Sequence, residues 1–249
     1  GILPSPFRLI EQQRDRGHEY YLDHANGFFY VRTNRDAKNF ALKRTSTVTA
    51  EADWETVIPH DPAVFIADFS LSQAFMAVEE RKEGLTRLRI YPWSNPEAAH
   101  FLSFDDAAYE VALGDNPEFE SGVLRYTYES PSTPTTTYDY DVATQRRTQL
   151  KQNVVLGEFK SSDYQVERLM VPARDGAQVP VTLVYRKDRY QKEGSNPLLL
   201  YAYGAYGASI QPYFSTSRLS LMSSPTWLPD LCTCTTHNGK KMSGTLQHQ

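Results

Sequence analysis

A recurring spacing of strand-like segments constrains this chain more than any other feature. In three comparable segments apolar or aromatic residues alternate with polar ones, and the matching strands start at Phe29, Phe75 and Leu124. The starts are 46 and 49 residues apart, which is typical of four-stranded blades in β-propellers. Alternation turns one face of each strand inward. The spacing therefore predicts three consecutive propeller blades, with a plain antiparallel sandwich as the alternative.

Three units are too few to close a propeller, because closed rings have about four to eight blades. We therefore expect these units to be part of a larger ring. Turn residues support the hairpins, since Asn26-Gly27 and Glu83-Gly84 each place a glycine in a predicted turn. The charged run at residues 79–83 is also expected to lie at a hairpin tip rather than in a binding patch.

Composition excludes several classes of protein. The chain has 249 residues, 40% of them hydrophobic, and its 12% aromatic content favours strands. A net charge of −4 gives no reason to expect nucleic acid as a partner, and no apolar run reaches the roughly 18 residues of a membrane span. Cysteines occur only at Cys232 and Cys234, so no disulfide scaffold is expected. We expect a cytoplasmic protein, and the start at Gly1 without Met or signal peptide leads us to expect a missing upstream part.

The pattern changes after Gln152. Two alternating segments flank the turn at Arg174-Asp175-Gly176, and a charged loop then leads to the continuous apolar run at residues 198–201. A hairpin followed by a fully apolar strand is typical of a sheet whose antiparallel edge becomes parallel. We therefore predict a mainly β chain that ends in the start of an α/β domain, with a first helix beginning near Ser217.

Several motifs occur together in one order. They are residues 32–40 (Arg-Thr-Asn-Arg-Asp-Ala-Lys-Asn-Phe), 173–176, 185–188, 196–207 (Asn-Pro-Leu-Leu-Leu-Tyr-Ala-Tyr-Gly-Ala-Tyr-Gly) and 214–221. From about Phe7 to Met222 the chain resembles oligopeptidase B, the basic-residue-specific branch of the prolyl oligopeptidase family of serine peptidases. The resemblance implies a seven-bladed propeller that caps an α/β-hydrolase domain. Residues 1–157 would then be C-terminal blades, and residues 158–222 would begin the peptidase domain.

The resemblance also implies two site residues. Tyr203, the second tyrosine of the Tyr-x-Tyr-Gly motif, would donate a hydrogen bond to the oxyanion, and Tyr206 would lie near the substrate pocket. A phenol at a strand end can aim its hydroxyl at developing negative charge, although the residues alone favour a packed aromatic. Gln211 and Tyr213 stand where this branch commonly has acidic residues. Short basic peptides would be the partners, and no cofactor or metal is implied.

The groups that would start acyl transfer are missing from these 249 residues. No Gly-x-Ser-x-Gly elbow occurs, since residues 207–211 lack the final glycine. His237 and His248 lie in the unmatched tail and are not assigned as the base. Residues 223–249 show no periodicity, so we predict an aberrant tail that is out of frame or disordered. A metal site from Cys232, Cys234 and His237, with His248 as an optional fourth ligand, is the alternative, but its spacing is not that of a standard zinc site.

Three functions remain open from the sequence. The chain is expected to be a fragment of a serine oligopeptidase whose full-length parent hydrolyses short peptides after Arg or Lys, and to be inactive alone. A non-enzymatic interaction module built from propeller blades is one alternative. Half of a two-chain peptidase is another.

Overall fold

Strands dominate the part of the chain that the structure describes. The computed structural model describes residues 15–46, 54–191, 193, 197–203 and 209–223, together with the backbone of residues 230–235. Apart from one α-helix, the described helical turns are two short 3-10 segments, Pro96–Ala98 and Ser161–Asp163. None of the described helices is long and apolar enough to span a membrane. The prediction of a mainly β chain is confirmed.

Twelve strands form three consecutive four-stranded antiparallel sheets, each paired in chain order. The first blade contains β1 (Tyr20–Ala25), β2 (Phe28–Thr33), β3 (Ala41–Thr45) and β4 (Glu55–Ile58). The second contains β5 (Val64–Leu71), β6 (Phe75–Lys82), β7 (Leu85–Pro92) and β8 (His100–Phe101). The third contains β9 (Glu110–Leu113), β10 (Val123–Ser130), β11 (Thr133–Asp141) and β12 (Arg146–Gln152). The predicted starts at 29, 75 and 124 fall within one residue of β2, β6 and β10.

Left-handed backbone at the hairpin tips confirms the predicted turns. Asn26 and Gly27 have φ angles of 51° and 80°, and Glu83 and Gly84 have 52° and 80°, as a type I′ turn requires. The charged run at 79–83 differs from expectation, because only its last residue lies at a tip. The other four belong to β6, and Glu80 is 2% exposed.

Apolar side chains fill the two interfaces between neighbouring blades. Between the first and second blades lie Ala25, Tyr30, Phe40, Leu42, Ile66, Phe69, Leu71, Met76 and Val78. Between the second and third lie Phe75, Ala77, Leu88, Ile90, Leu102, Val111, Leu124, Tyr126, Tyr128, Tyr140 and Val142. Consecutive residues of β6 thus enter opposite interfaces, since side chains alternate along a strand. The second blade is therefore buried on both faces, and burial of this apolar surface is the main term that holds the blades together.

A fourth sheet of mixed direction follows the blades. It is built from β13 (Tyr164–Pro172), β14 (Gln178–Arg186), β15 (Leu198–Tyr203) and β16 (Asp230–Thr235), in the order β13-β14-β16-β15. The first two strands form an antiparallel hairpin, whereas β15 and β16 are parallel. Helix α1 (Thr216–Ser223) begins within one residue of the predicted start. The hairpin, the parallel pair and the helix agree with the predicted start of an α/β domain.

Strand β16 lies in the segment where the sequence showed no periodicity. The structure differs here from the expected irregular tail, because residues 230–235 pair with β14 on one side and β15 on the other. Backbone ladders on both edges do not depend on the side-chain pattern, so alternation could not reveal this strand. Cys232 and Cys234 belong to it, whereas His237 and His248 lie outside the described residues. The proposed frame shift stays a prediction.

The fourth sheet packs against the second and third blades through an apolar cluster. Its buried members are Ala108, Tyr164, Val166, Val184, Leu219 and Met222. Beside this cluster the Arg168 guanidinium donates a hydrogen bond to the carbonyl oxygen of Glu83, at the tip of the β6–β7 hairpin. Burial lowers the pKa of Arg168. The contact therefore joins a desolvated cation to a backbone acceptor across the boundary between the blades and the fourth sheet.

Candidate functional site

Tyr203 lies at the last position of β15, as the motif predicts. Its side chain is 45% exposed, and so is that of Tyr201 on the same face of the strand. Tyr206 falls in residues 204–208, outside the described residues, so its role stays a prediction. An exposed phenol at a strand end can donate a hydrogen bond to an anion, which is the chemistry required of an oxyanion donor.

Arg218 brings two tyrosines together beside this strand. Its guanidinium carbon lies 5.3 Å from the Tyr201 ring centroid and 4.2 Å from that of Tyr213. Its Nη2 also donates a hydrogen bond to the Tyr213 hydroxyl at 2.6 Å. Cation–π contacts of this kind favour keeping the charge over the rings. The contact depends on how α1 packs on the fourth sheet, and the sequence analysis therefore missed it.

The segment before α1 is neutral where the resemblance led us to look for acidic residues. Gln211 is half-buried, and its Oε1 has no hydrogen-bond partner among the described residues. The backbone N–H of Tyr213 donates to the Gln211 carbonyl at 2.9 Å. The Arg218 guanidinium beside Tyr213 would repel a basic side chain rather than attract one.

A cavity of about 640 Å³ lies where the third blade meets the start of α1. It is lined by Thr135, Lys151, Gln152, Asn153, Val154, Val155, Phe214, Ser215 and Thr216. The cavity wall does not include Tyr203 or Arg218. Within the described ranges no cluster of three or more His, Cys, Asp or Glu side chains could hold a metal ion. The described residues thus place Tyr203 on the strand face of Tyr201, whose ring Arg218 contacts, and outside the wall of this cavity.

Comparisons with known proteins agree with this architecture. Residues 4–153 match the family of the prolyl oligopeptidase N-terminal β-propeller domain. Dipeptidyl aminopeptidase BI of Pseudoxanthomonas mexicana is 42% identical over 222 residues, which cover 88% of this chain and 30% of that protein. Protease 2 of Moraxella lacunata is 28% identical over 218 residues, covering 88% of this chain and 31% of that protein.

Solved structures show the same relationship. Oligopeptidase B from Trypanosoma brucei, in a closed form with covalently bound antipain, superposes with a TM-score of 0.80 at 29% identity, and covers 93% of this chain and 33% of that chain. The present chain therefore spans about a third of the length of the relatives it matches. Since the propeller-domain match alone covers more than half of the residues, the chain belongs to the prolyl oligopeptidase family.

Proposed function

We propose that this chain forms the last blades of the propeller and the opening of the peptidase domain of a serine oligopeptidase. The observation that carries the proposal is the passage from three blades into a mixed sheet whose strand β15 ends in Tyr-Ala-Tyr. The peptidase names of the relatives at 42% and 28% identity support it. In this proposal the protein is cytoplasmic, needs no cofactor, and does not act on nucleic acid or membranes.

Tyr203 would act as the oxyanion donor in the intact enzyme. Acyl transfer passes through a tetrahedral intermediate whose oxygen becomes negative, and a positioned hydroxyl stabilises it. The nucleophile and the base must come from other residues. Because the 249 residues contain no Gly-x-Ser-x-Gly elbow, we propose that they do not turn over peptides by themselves. A two-chain peptidase or a non-enzymatic interaction module would share this property.

Cleavage of short peptides after Arg or Lys remains our proposal for the substrate. It is supported by the likeness to oligopeptidase B. A second candidate is release of dipeptides from a free amino terminus, because the relative at 42% identity is a dipeptidyl aminopeptidase.

A chimera tests the role of Tyr203. Residues 4–223 would replace the matching third of the Pseudoxanthomonas mexicana enzyme, whose remaining part supplies the other catalytic groups. We expect Tyr203→Phe to lower kcat by roughly 100- to 1000-fold, as loss of one oxyanion donor does in other enzymes. Tyr201→Phe is the matched control, because both tyrosines are equally exposed on the same strand face. Equal losses in the two variants would remove Tyr203 from the mechanism.

Two amide substrates separate the substrate classes in the same chimera. A blocked arginyl amide has no free amino terminus, whereas a dipeptide amide has one. If the chimera cleaves the blocked arginyl amide faster than the Pseudoxanthomonas mexicana enzyme does, cleavage after basic residues is favoured. If its activity is confined to the dipeptide amide, dipeptide release is favoured. For the 249 residues alone, a fluorophosphonate probe should label no serine. Labelling of any serine would overturn the proposed inactivity.

A further inference from the structure

Arg218 presents a positive charge beside the strand that carries Tyr203. Its side chain is half-buried in the first turn of α1. The rings of Tyr201 and Tyr213 lie 5.3 and 4.2 Å from its guanidinium carbon. Among the described residues no carboxylate lies within ion-pair distance of this guanidinium. The charge is therefore stabilised by aromatic faces rather than by an anion of the described chain.

Most of the hydrogen-bonding capacity of this guanidinium is unused. A guanidinium carries five N–H donors in one plane, and among the described residues the acceptor is the Tyr213 hydroxyl, which Nη2 reaches at 2.6 Å. Contact with ring faces needs no N–H, so the donors on Nε and Nη1 stay available. The Tyr213 hydroxyl accepts from Arg218 and keeps its own proton to donate. The pair thus offers several donors to a ligand and no ionised acceptor.

A carboxylate is the ligand that fits these donors. Its two oxygens can accept two parallel N–H bonds from one guanidinium, and such charge-assisted pairs are among the strong hydrogen bonds of proteins. The face beside the pair is open, since Tyr201 and Tyr203 are both 45% exposed. A peptide supplies a carboxylate from its carboxyl terminus or from an Asp or Glu side chain, and the chemistry of recognition is the same for both.

The spacing along β15 sets how far this ligand lies from the reacting bond. Tyr201 and Tyr203 are two residues apart on one strand face, so their side chains are separated by about 7 Å. Adding the contact of Arg218 with the Tyr201 ring places the guanidinium within about 12 Å of the Tyr203 side chain. An extended peptide covers that distance in about three to four residues.

We propose that Arg218, together with Tyr213, binds a carboxylate of the substrate peptide within about three residues of the bond that is cleaved. The inference rests on the proposed function, because that function places the reacting carbonyl at Tyr203. A basic side chain is disfavoured beside Arg218, so a basic residue of the substrate binds elsewhere. Recognition of a terminal carboxylate at this distance would also favour short peptides over long ones.

Three peptides test the proposal in the chimera that contains residues 4–223. Gly-Arg-Gly-Gly ends in a carboxylate, Gly-Arg-Gly-Gly-amide lacks that group, and Gly-Arg-Gly-Asp-amide carries it on a side chain. Dipeptide release and cleavage after Arg break the same bond in each peptide. We expect at least one carboxylate peptide to have a kcat/KM about 10- to 100-fold above that of Gly-Arg-Gly-Gly-amide, which is the range of a hydrogen bond to a charged group. The peptide that gains identifies the source of the carboxylate.

The variants assign this preference to Arg218. Arg218→Gln should remove the preference through KM, because the carboxylate is bound alike in the ground and transition states. Tyr213→Phe keeps the ring but loses the hydroxyl, and should reduce the preference. Arg174→Gln is the control, since it removes the same charge from an exposed position of the fourth sheet, and it should keep the preference.

The proposed function and the carboxylate site can fail separately. If Arg218→Gln keeps the preference shown by Arg174→Gln, or if neither carboxylate peptide is preferred, the carboxylate site is overturned. The oxyanion role of Tyr203 then still stands on the comparison of Tyr203→Phe with Tyr201→Phe. Loss of the preference in Arg218→Gln, with equal losses in the two tyrosine variants, would support the carboxylate site without the oxyanion role.

Chemical labelling of the 249-residue protein decides the question if the chimera is inactive or a variant does not fold. Phenylglyoxal modifies accessible guanidinium groups, and mass spectrometry identifies which arginine has reacted. We expect N-acetylglycylglycine at millimolar concentration to slow the modification of Arg218, whereas N-acetylglycylglycinamide should not. Arg174 should react at one rate with either compound. Equal protection of Arg218 by both compounds, or no modification of Arg218 at all, would overturn the proposal.

Discussion

The ion pair between Glu80 and Arg87 offers the strongest single test of how the second blade is stabilised. Arg87 Nε and Nη2 both donate to Glu80 Oε2, at 2.8 and 2.6 Å. The Glu80 side chain is 3% exposed and that of Arg87 25%. The guanidinium also lies 4.3 Å from the Phe101 ring centroid. The substitution Glu80→Ala would leave this cation without its partner in a largely buried position.

Loss of one partner of a buried ion pair costs about 3–5 kcal/mol. Because a quarter of the Arg87 side chain reaches solvent, water partly replaces the carboxylate, and we expect about 3 kcal/mol. At a urea m value of about 1–3 kcal/mol/M this loss lowers the unfolding midpoint by about 1–3 M. Tryptophan fluorescence is the assay, since the indole N–H of Trp93 donates to the Ser72 carbonyl oxygen at 2.8 Å beside the second blade.

A second Arg–Glu pair in the first blade provides the control. Arg44 donates to both oxygens of Glu55 at 2.8 and 2.9 Å, but the side chains are 33% and 62% exposed. Exposed pairs contribute little, so Glu55→Ala should leave the midpoint unchanged within error. Equal shifts for Glu80→Ala and Glu55→Ala would refute the argument from burial. Arg87→Ala completes the double-mutant cycle, and a coupling energy near zero would refute it independently.

Two further substitutions test the edge of β9 and a hairpin tip. Thr86→Val keeps the shape of the side chain but removes the hydroxyl that accepts the Val111 N–H. The unsatisfied buried amide should lower the free energy of unfolding in urea by about 1–3 kcal/mol. The control is Ser220→Ala, which removes an exposed hydroxyl on α1, and an equally small change in both variants would contradict this prediction. Gly27→Ala places a Cβ at φ +80° where nothing lies within 4 Å, so only backbone strain of about 1 kcal/mol should appear. An unchanged thermal midpoint for Gly27→Ala would show that the turn relaxes.

Strands with one apolar face were predictable, and strands without one were not. The hairpins of the three blades follow from alternation and from turn pairs such as Asn26-Gly27. The fourth strand of the third blade, β12, exposes all seven residues, and β8 has only two residues. Neither offers a pattern that sequence reading detects. The same holds for β16, which its neighbours define through backbone pairing.

The candidate site was predictable in position but not in surroundings. The Tyr-x-Tyr-Gly motif placed Tyr203 at a strand end, as observed. The approach of Arg218 to Tyr201 depends on how α1 packs on the fourth sheet, which local sequence does not encode. The expectation that the charged run at 79–83 lies at a hairpin tip was wrong for the same reason. Whether Glu79 and Glu80 meet water depends on blades that are distant in sequence, so a run of charges cannot reveal buried partners.

The side-chain acceptors that bind β9 determine which mutations the boundary between the second and third blades can tolerate. Thr86 and Glu79 accept hydrogen bonds from the N–H groups of Val111 and Leu113. Replacing Thr86 or Glu79 by another acceptor of similar reach preserves the contact, because the amides of Val111 and Leu113 still point the same way. Deleting a single residue within β9 would instead shift the register of the strand by one residue. Because backbone amides alternate in direction along a strand, those amides would then point toward β10. The boundary should therefore accept point changes during divergence, while indels accumulate in the turns at its ends.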